Sequence, residues 1–206
     1  MLRLTDQQAD DFKEIGNVGA GYAASRLADL IGQRCLVSIP TVTALSGETL
    51  HDLAGEQDDF AVAIDVRARG DFESSMYLIM KAFSAERIVR EMSKTESKKT
   101  GSFVELKREF ALKKLGESLV QSYMDAVNNF LQVKSVLSPP EVIIDLYDKA
   151  LDRTLRRLLQ LDGEQVLIHT SFAASDESFE GNFALILNRV AQFAIITKMG
   201  QMTTTY

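Results

Sequence analysis

The stretch "DQQADDFKEIGNVGAGYAASRLADLIG", residues 6–32, decides how the chain is organised. Its apolar residues recur at helical spacing, Thr5 or Asp6 can cap its start, and Gly32 can end it. Its central glycines run G-x-x-G-x-G, whereas a dinucleotide-binding fingerprint runs G-x-G-x-x-G between a strand and a helix. The residues before them are charged and helical in period, and the chain has no G-x-x-x-x-G-K-[ST] loop. The stretch therefore predicts one long helix and no nucleotide-binding loop.

On a helix that turns about 100° per residue, this stretch separates a polar face from an apolar one. Asp10, Glu14 and Asn17 share one narrow polar face. Three small residues continue that face, namely Gly21, Ala24 and Ala28. The opposite side carries the predicted core residues, namely Phe12, Ile15, Gly19, Ala23 and Leu30. We expect close packing at Gly19 and a flat polar platform on the other side.

The segments after the long helix alternate between strand and helix patterns. Residues 35–45 predict a strand, and residues 60–80 predict a hairpin that turns near residues 69–71. Residues 81–92 predict a short helix. Residues 93–102 are small and polar and are therefore interpreted as a linker or exposed loop.

The same order of elements occurs twice along the chain. A shift of 100 residues places Gly16 on Gly116 and Pro40 on Pro140, and later elements match at a shift of 107. Residues 147–161, interpreted as a helix, are the natural place for the insertion that the larger shift requires. Chance similarity between amphipathic segments is the alternative, but the glycine and the proline keep the same spacing.

The repeat predicts an α+β fold with pseudo-two-fold symmetry in a single domain over residues 1–206. Its halves span about residues 1–92 and 103–199, joined by the polar segment. Each half is expected to contain a long helix, three strands and a short helix, and both halves are expected to share one sheet flanked by helices.

The second long helix keeps the apolar side of the first and changes the polar side. The retained core positions are Leu112, Leu115, Leu119, Tyr123 and Phe130. Phe110, Lys114 and Glu117 stand where the first helix has its Asp, Glu and Asn. We expect Lys114 and Glu117, at positions i and i+3, to form a surface ion pair.

Composition excludes several classes of protein. The chain has 46% hydrophobic residues, 23 Lys and Arg against 29 Asp and Glu, and a net charge of −6. It has no basic cluster with interleaved aromatics, so we expect no nucleic-acid partner, and its acidity disfavours anionic membranes. Cys35 is the single cysteine and is interpreted as a buried structural thiol. Without a signal peptide, a membrane-length apolar run or a metal-ligand spacing, the chain is expected to be cytoplasmic and free of a bound metal.

One motif resembles the signature of a known family. Asp10-x3-Glu14-x2-Asn17, followed after 22 residues by Pro40, resembles the motif of the CheC/CheX/FliY chemotaxis phosphatases. The surrounding helix is similar to the first helix of CheC, and the tandem repeat covers nearly the whole chain.

The second copy of the motif departs from the family pattern. CheC-type proteins commonly carry the signature in both halves, and this chain keeps Pro140 in the second. Lys114 replaces the Glu of the motif, however, and Glu117 replaces its Asn. The resemblance therefore implies one intact site and one degenerate site.

The resemblance also implies a substrate and a role for each residue. The substrate would be the phosphorylated response regulator CheY, with Asn17 orienting the attacking water and Glu14 pairing with a lysine of the regulator. Asp10 and Pro40 would have supporting roles in helix-start electrostatics and strand geometry. Mg²⁺ would arrive with the regulator, so this chain is expected to bind no cofactor of its own. The small residues of the platform would let the regulator approach closely.

Two other functions remain open at this stage. The first is an adaptor without turnover that binds CheY or the receptor deamidase CheD. The second is a flagellar-switch component of the FliY type. FliY proteins carry an additional C-terminal switch domain, for which we expect no room after residue 199.

Overall fold

The computed structural model describes residues 4–46, 49, 60–146 and 164–203. The helices and strands in these ranges are, in chain order, α1 (Asp6–Ile31), β1 (Cys35–Val37), β2 (Thr41–Ala44), β3 (Phe60–Gly70), β4 (Ser74–Lys81), α2 (Ala82–Thr100), α3 (Arg108–Leu131), β5 (Ser135–Leu137), β6 (Glu141–Leu146), β7 (Val166–Ala174), β8 (Glu180–Leu187) and α4 (Arg189–Thr203). The predicted insertion at 147–161 lies outside the described residues.

Helix α1 has a well-defined start and end. Thr5 Oγ1 accepts a hydrogen bond from the Gln8 backbone N–H at 3.2 Å, and Gln8 Oε1 accepts one from the Thr5 N–H at 3.0 Å. This reciprocal capping box makes Thr5, not Asp6, the N-cap. Gly32 ends the helix with φ +71°, a left-handed conformation that glycine adopts without a steric penalty. The predicted helix is confirmed.

The eight strands form one antiparallel sheet in which the two halves exchange their edge strands. β4 and β8 pair at the centre, and their hairpin partners β3 and β7 flank them. β1 and β2 of the first half pair with β7 of the second half, while β5 and β6 pair with β3 of the first. Val42 lies opposite Ile168, and Val142 lies opposite Ile64 at the equivalent place. The predicted α+β fold with one shared sheet is confirmed.

Helices α1 and α3 pack against each other over one face of this sheet. All five predicted core residues of α1 are buried. In α3, Leu112, Leu115, Leu119 and Tyr123 are buried and Phe130 is half-buried. A Cβ atom on Gly19 would fall inside the van der Waals radius of the Tyr123 ring. The glycine therefore allows the close helix contact that the sequence predicts.

The prediction of a loop over residues 93–102 is wrong, because α2 continues to Thr100 and ends at Gly101. Ser93 Oγ donates to the Val89 carbonyl at 3.0 Å, and Ser97 Oγ donates to the Ser93 carbonyl at 2.8 Å. Ser97 Oγ also accepts the Val104 N–H at 2.8 Å, which holds the connection to α3 against the helix. These small polar residues satisfy backbone groups from within a helix, where composition alone suggests a loop.

The predicted strand over 35–45 is interrupted at residues 38–40 and forms β1 and β2 along the same partner strand. Pro40 has no N–H to donate to a sheet ladder, so the break falls where a proline is tolerated. Ser38 bridges the break, since its N–H donates to the Ser171 carbonyl at 2.9 Å and its Oγ accepts the Ser171 N–H at 3.0 Å. None of the helices in the described ranges is both long and apolar enough to cross a membrane.

Cys35 begins β1 and is half-buried rather than fully buried. Desolvation raises the pKa of its thiol from 9.0 to about 11. Since only the thiolate reacts, alkylation by iodoacetamide at pH 8 should be about 100-fold slower in the folded protein than in the unfolded chain. The rate should rise with pH towards about 11. Mass spectrometry of the alkylated protein, with a sample in urea as control, measures this, and equal rates in both samples would contradict it.

Candidate functional site

The exposed face of α1 brings Asp10, Glu14 and Asn17 together. All three side chains are exposed, and Glu14 and Asn17 lie one turn apart, about 4.5 Å along the helix axis. Lys13 Nζ contacts Asp10 Oδ1 at 3.0 Å. The side chains of Glu14 and Asn17 form no hydrogen bond or ion pair with any residue that the structure describes. Both side chains are thus free to contact a partner molecule.

Beneath this face, α1 rests directly on the sheet. Pro40 is buried just before β2, and a Cβ atom on Gly16 would lie 2.8 Å from both Pro40 Cβ and Ile168 Cγ2. No side chain larger than hydrogen fits at Gly16 unless Pro40, Ile168 or the helix shifts. This contact brings the proline of the motif under the turn that carries Asn17 and fixes the height of that turn above the sheet.

The importance of Gly16 is not evident from the motif itself. Sequence reasoning gave this glycine no role and connected Pro40 with strand geometry. The available signal was the repeat, in which a glycine and a proline keep the same spacing in both halves. In the second half, a Cβ atom on Gly116 would lie 2.5 Å from Ile64 Cγ2 and 3.5 Å from Pro140 Cβ. The support of the helix is therefore present in both halves.

The outward face of α3 differs from that of α1. Phe110 is 58% exposed, and Glu117 is exposed. Lys114 Nζ lies 3.9 Å from Glu96 Oε2 of α2, so the predicted Lys114–Glu117 ion pair is wrong. The reason is that α2 extends further than predicted and places Glu96 beside α3. The Lys114 side chain therefore points towards α2 and does not pair with Glu117.

The platform beyond Asn17 is narrower than predicted. Ala24 is only 6% exposed and belongs to the core, and Ala28 is half-buried. Gly21 alone is open, since a Cβ atom there would have no neighbour within 4 Å. Tyr22 beside it is 64% exposed, a feature that the sequence analysis did not identify. The open surface next to the polar face consists of Gly21 and Tyr22.

Charged groups near the two helix starts are paired locally. Lys113 Nζ donates to Glu109 Oε1 at 2.7 Å, and this hydrogen bond lowers the pKa of the Glu109 carboxyl. In the described part of the chain, no group of three or more His, Cys, Asp or Glu side chains is arranged to hold a metal ion.

Known proteins that are similar to this chain include chemotaxis phosphatases. The chain is 30% identical over 169 residues to the CheY-P phosphatase CheC of Bacillus subtilis, an alignment that covers 82% of this chain and 81% of that protein. The chain belongs to the CheC/CheX/FliY family. This confirms the resemblance that the motif indicated. No family model matches the sequence.

Two further members of the CheC/CheX/FliY family are similar to the chain. The flagellar motor switch phosphatase FliY of Bacillus subtilis is 24% identical over 171 residues, and the alignment covers 82% of this chain but only 43% of that protein. The crystal structure of Thermotoga maritima FliY superposes with a TM-score of 0.72 at 17% identity. The superposition covers 97% of this chain and 99% of the Thermotoga maritima FliY chain, which shows that the two proteins share a fold.

Proposed function

We propose that this protein is a phosphatase that hydrolyses the phosphoaspartate of a phosphorylated CheY-type response regulator and so terminates a chemotaxis signal. The observation that carries the proposal is the pair of Glu14 and Asn17, exposed, unpaired and one turn apart on a helix that Gly16 and Pro40 hold against the sheet. The name of the Bacillus subtilis relative, a CheY-P phosphatase, supports this choice of substrate.

The chemistry of the reaction suits Asn17. Water attacks the phosphorus, the bond between phosphorus and the aspartate oxygen breaks, and the products are inorganic phosphate and a free carboxylate. Such a transfer requires positioning and charge stabilisation more than covalent help. The amide of Asn17 has both an acceptor and donors, so it can hold a water molecule in line with the bond that breaks.

Glu14 and the supporting residues have separate tasks in this proposal. The Glu14 carboxylate pairs with a lysine of the regulator and fixes the orientation of the complex. Mg²⁺ belongs to the regulator, where it offsets the charge of the phosphoryl group. Asp10 lies in the second turn of α1, where Lys13 contacts it, and adds negative charge to the same face as Glu14. Pro40 holds the helix from below.

The direct test is release of phosphate from a radiolabelled regulator in the presence of Mg²⁺. The intact protein should accelerate the release for at least one CheY-type regulator of the same cell. If it accelerates none of them, either alone or with CheD, catalysis is the wrong proposal and an adaptor function takes its place.

Charge reversal tests the role of Glu14. Glu14→Lys introduces the residue type of the equivalent position, Lys114, and places a lysine opposite the lysine of the regulator. Because the two positive charges repel each other, KM for the regulator should rise at least about 10-fold, which corresponds to about 1.4 kcal/mol. Lys114→Glu is the matched control on α3 and should leave KM unchanged. An unchanged KM for Glu14→Lys would show that Glu14 does not contact the regulator.

A second candidate function is favoured by one observation on α3. Phe110 stands at the position equivalent to Asp10, and its side chain is 58% exposed. Exposed aromatic side chains are frequent at protein interfaces. The degenerate half would then bind a protein without turnover, and CheD is the partner that the family resemblance suggests. Loss of CheD binding in Phe110→Ala, with turnover of the regulator intact, would support this additional role.

A further inference from the structure

Packing within the protein does not explain why residue 21 is a glycine. It lies in the interior of α1, one turn beyond Asn17, where glycine is among the least favourable residues for helix formation. A Cβ atom at this position would have no neighbour within 4 Å, so packing inside the chain does not require the missing side chain.

The other glycines of the long helices behave differently. A Cβ atom on Gly16, Gly19 or Gly116 would collide with a neighbouring side chain, so each of these positions is explained by packing. The residue of α3 equivalent to Gly21 is Gln121, which is exposed and donates from Nε2 to Asp125 Oδ1 at 2.7 Å. The fold therefore accepts a long side chain at this place in the half without the motif.

We infer that the backbone of the bound regulator passes directly against Gly21, with Tyr22 packed beside the contact. A glycine allows a second backbone to approach more closely than any other residue does. Tyr22 offers a large, exposed aromatic surface of the kind that anchors protein interfaces. Because Gly21 lies one turn from Asn17, this contact sets how far Asn17 reaches into the phosphorylated site. The inference rests on the proposed function, since it concerns the partner of the same site.

The test separates binding from turnover. The regulator, loaded with Mg²⁺ and beryllofluoride as a stable mimic of phosphoaspartate, is titrated with wild-type protein and with the Gly21→Gln variant, which installs the residue of the second half. We expect Kd to rise at least 10-fold for Gly21→Gln, and less for Gly21→Ala, whose side chain is shorter. Thermal denaturation should show that neither variant is less stable than the wild type.

Gly200→Gln is the matched control. Gly200 is a helical glycine of α4 whose Cβ position is also open, and the substitution adds the same side chain on a different helix from the one that carries Asn17. Its Kd should equal that of the wild type. Tyr22→Ala should weaken binding by a smaller factor than Gly21→Gln.

The possible outcomes distinguish the inference from the proposed function. If Gly21→Gln binds as tightly as the wild type, the inference is overturned while the phosphatase proposal stands. If the wild-type protein binds the regulator without dephosphorylating it, the phosphatase proposal falls, and a weaker Kd for Gly21→Gln still supports the contact. If the wild type binds no regulator, both are overturned.

Discussion

Replacing Asn17 with alanine is expected to lower the rate at which this protein dephosphorylates its regulator by about 100-fold, equivalent to about 2.7 kcal/mol of transition-state stabilisation. Asn17 is exposed, and its amide has no partner among the described residues, so its only role in the proposal is towards the complex. Alanine removes both the acceptor and the donors that hold the water. Single-turnover phosphate release at saturating enzyme measures the chemical step directly.

Two controls make the Asn17→Ala result specific. Glu117→Ala changes the equivalent position of α3 and should leave the rate unchanged. Asn17→Ala itself should keep its affinity for the beryllofluoride-loaded regulator within about 2-fold, since an interaction made mainly in the transition state affects turnover and not ground-state binding. A variant that retains full activity would contradict the role of Asn17, and one that loses affinity would show that Asn17 acts in docking.

The same substitution at two neighbouring glycines of α1 is expected to change stability in opposite directions. Gly19→Ala places a methyl group into the ring of Tyr123, which is buried and backed by Phe183 at a centroid distance of 6.1 Å. Overpacking of this kind costs about 1–3 kcal/mol, which outweighs the gain in helix propensity. Gly21→Ala meets no neighbour and should stabilise the protein by up to about 1 kcal/mol. Urea denaturation measures both changes.

A double-mutant cycle identifies the origin of the Gly19 effect. In a Tyr123→Leu background the ring is absent, so Gly19→Ala should lose most of its cost. Additive effects of the two substitutions would show that the cost arises elsewhere. Gly116→Ala, which directs a methyl group at Ile64 Cγ2, should also destabilise the protein.

The sequence allowed prediction of those parts of the fold that depend on periodicity and local signals. The boundaries of α1 followed from a capping residue and a terminal glycine, and the shared sheet followed from the repeat. The continuation of α2 through the segment 93–100 was not predictable from composition, because the hydroxyls of Ser97 and Ser93 accept the N–H groups of Val104 and Leu106, which only the folded connection brings near. Local composition does not show where a side chain finds its partner.

The candidate site was likewise predictable only where it depends on local sequence patterns. Helical spacing alone placed Asp10, Glu14 and Asn17 on one exposed face. The support by Gly16 and Pro40 and the pairing of Lys114 with Glu96 depend on contacts between distant segments, which no local pattern contains. Ala24 was misplaced because a single helix wheel ignores the neighbouring elements that bury its flank.

The exchange of edge strands has a consequence for how the two halves can diverge. Helix α1 carries the intact motif, yet it rests on Ile168, which lies in β7 of the other half. Substitution of the outward residues of α3 leaves the contact between α1 and Ile168 unchanged. Deletion of the second half, in contrast, would remove β7 and with it the support of α1. The proposed site on α1 therefore depends on the fold of both halves, although the outward residues of α3 differ from those of α1.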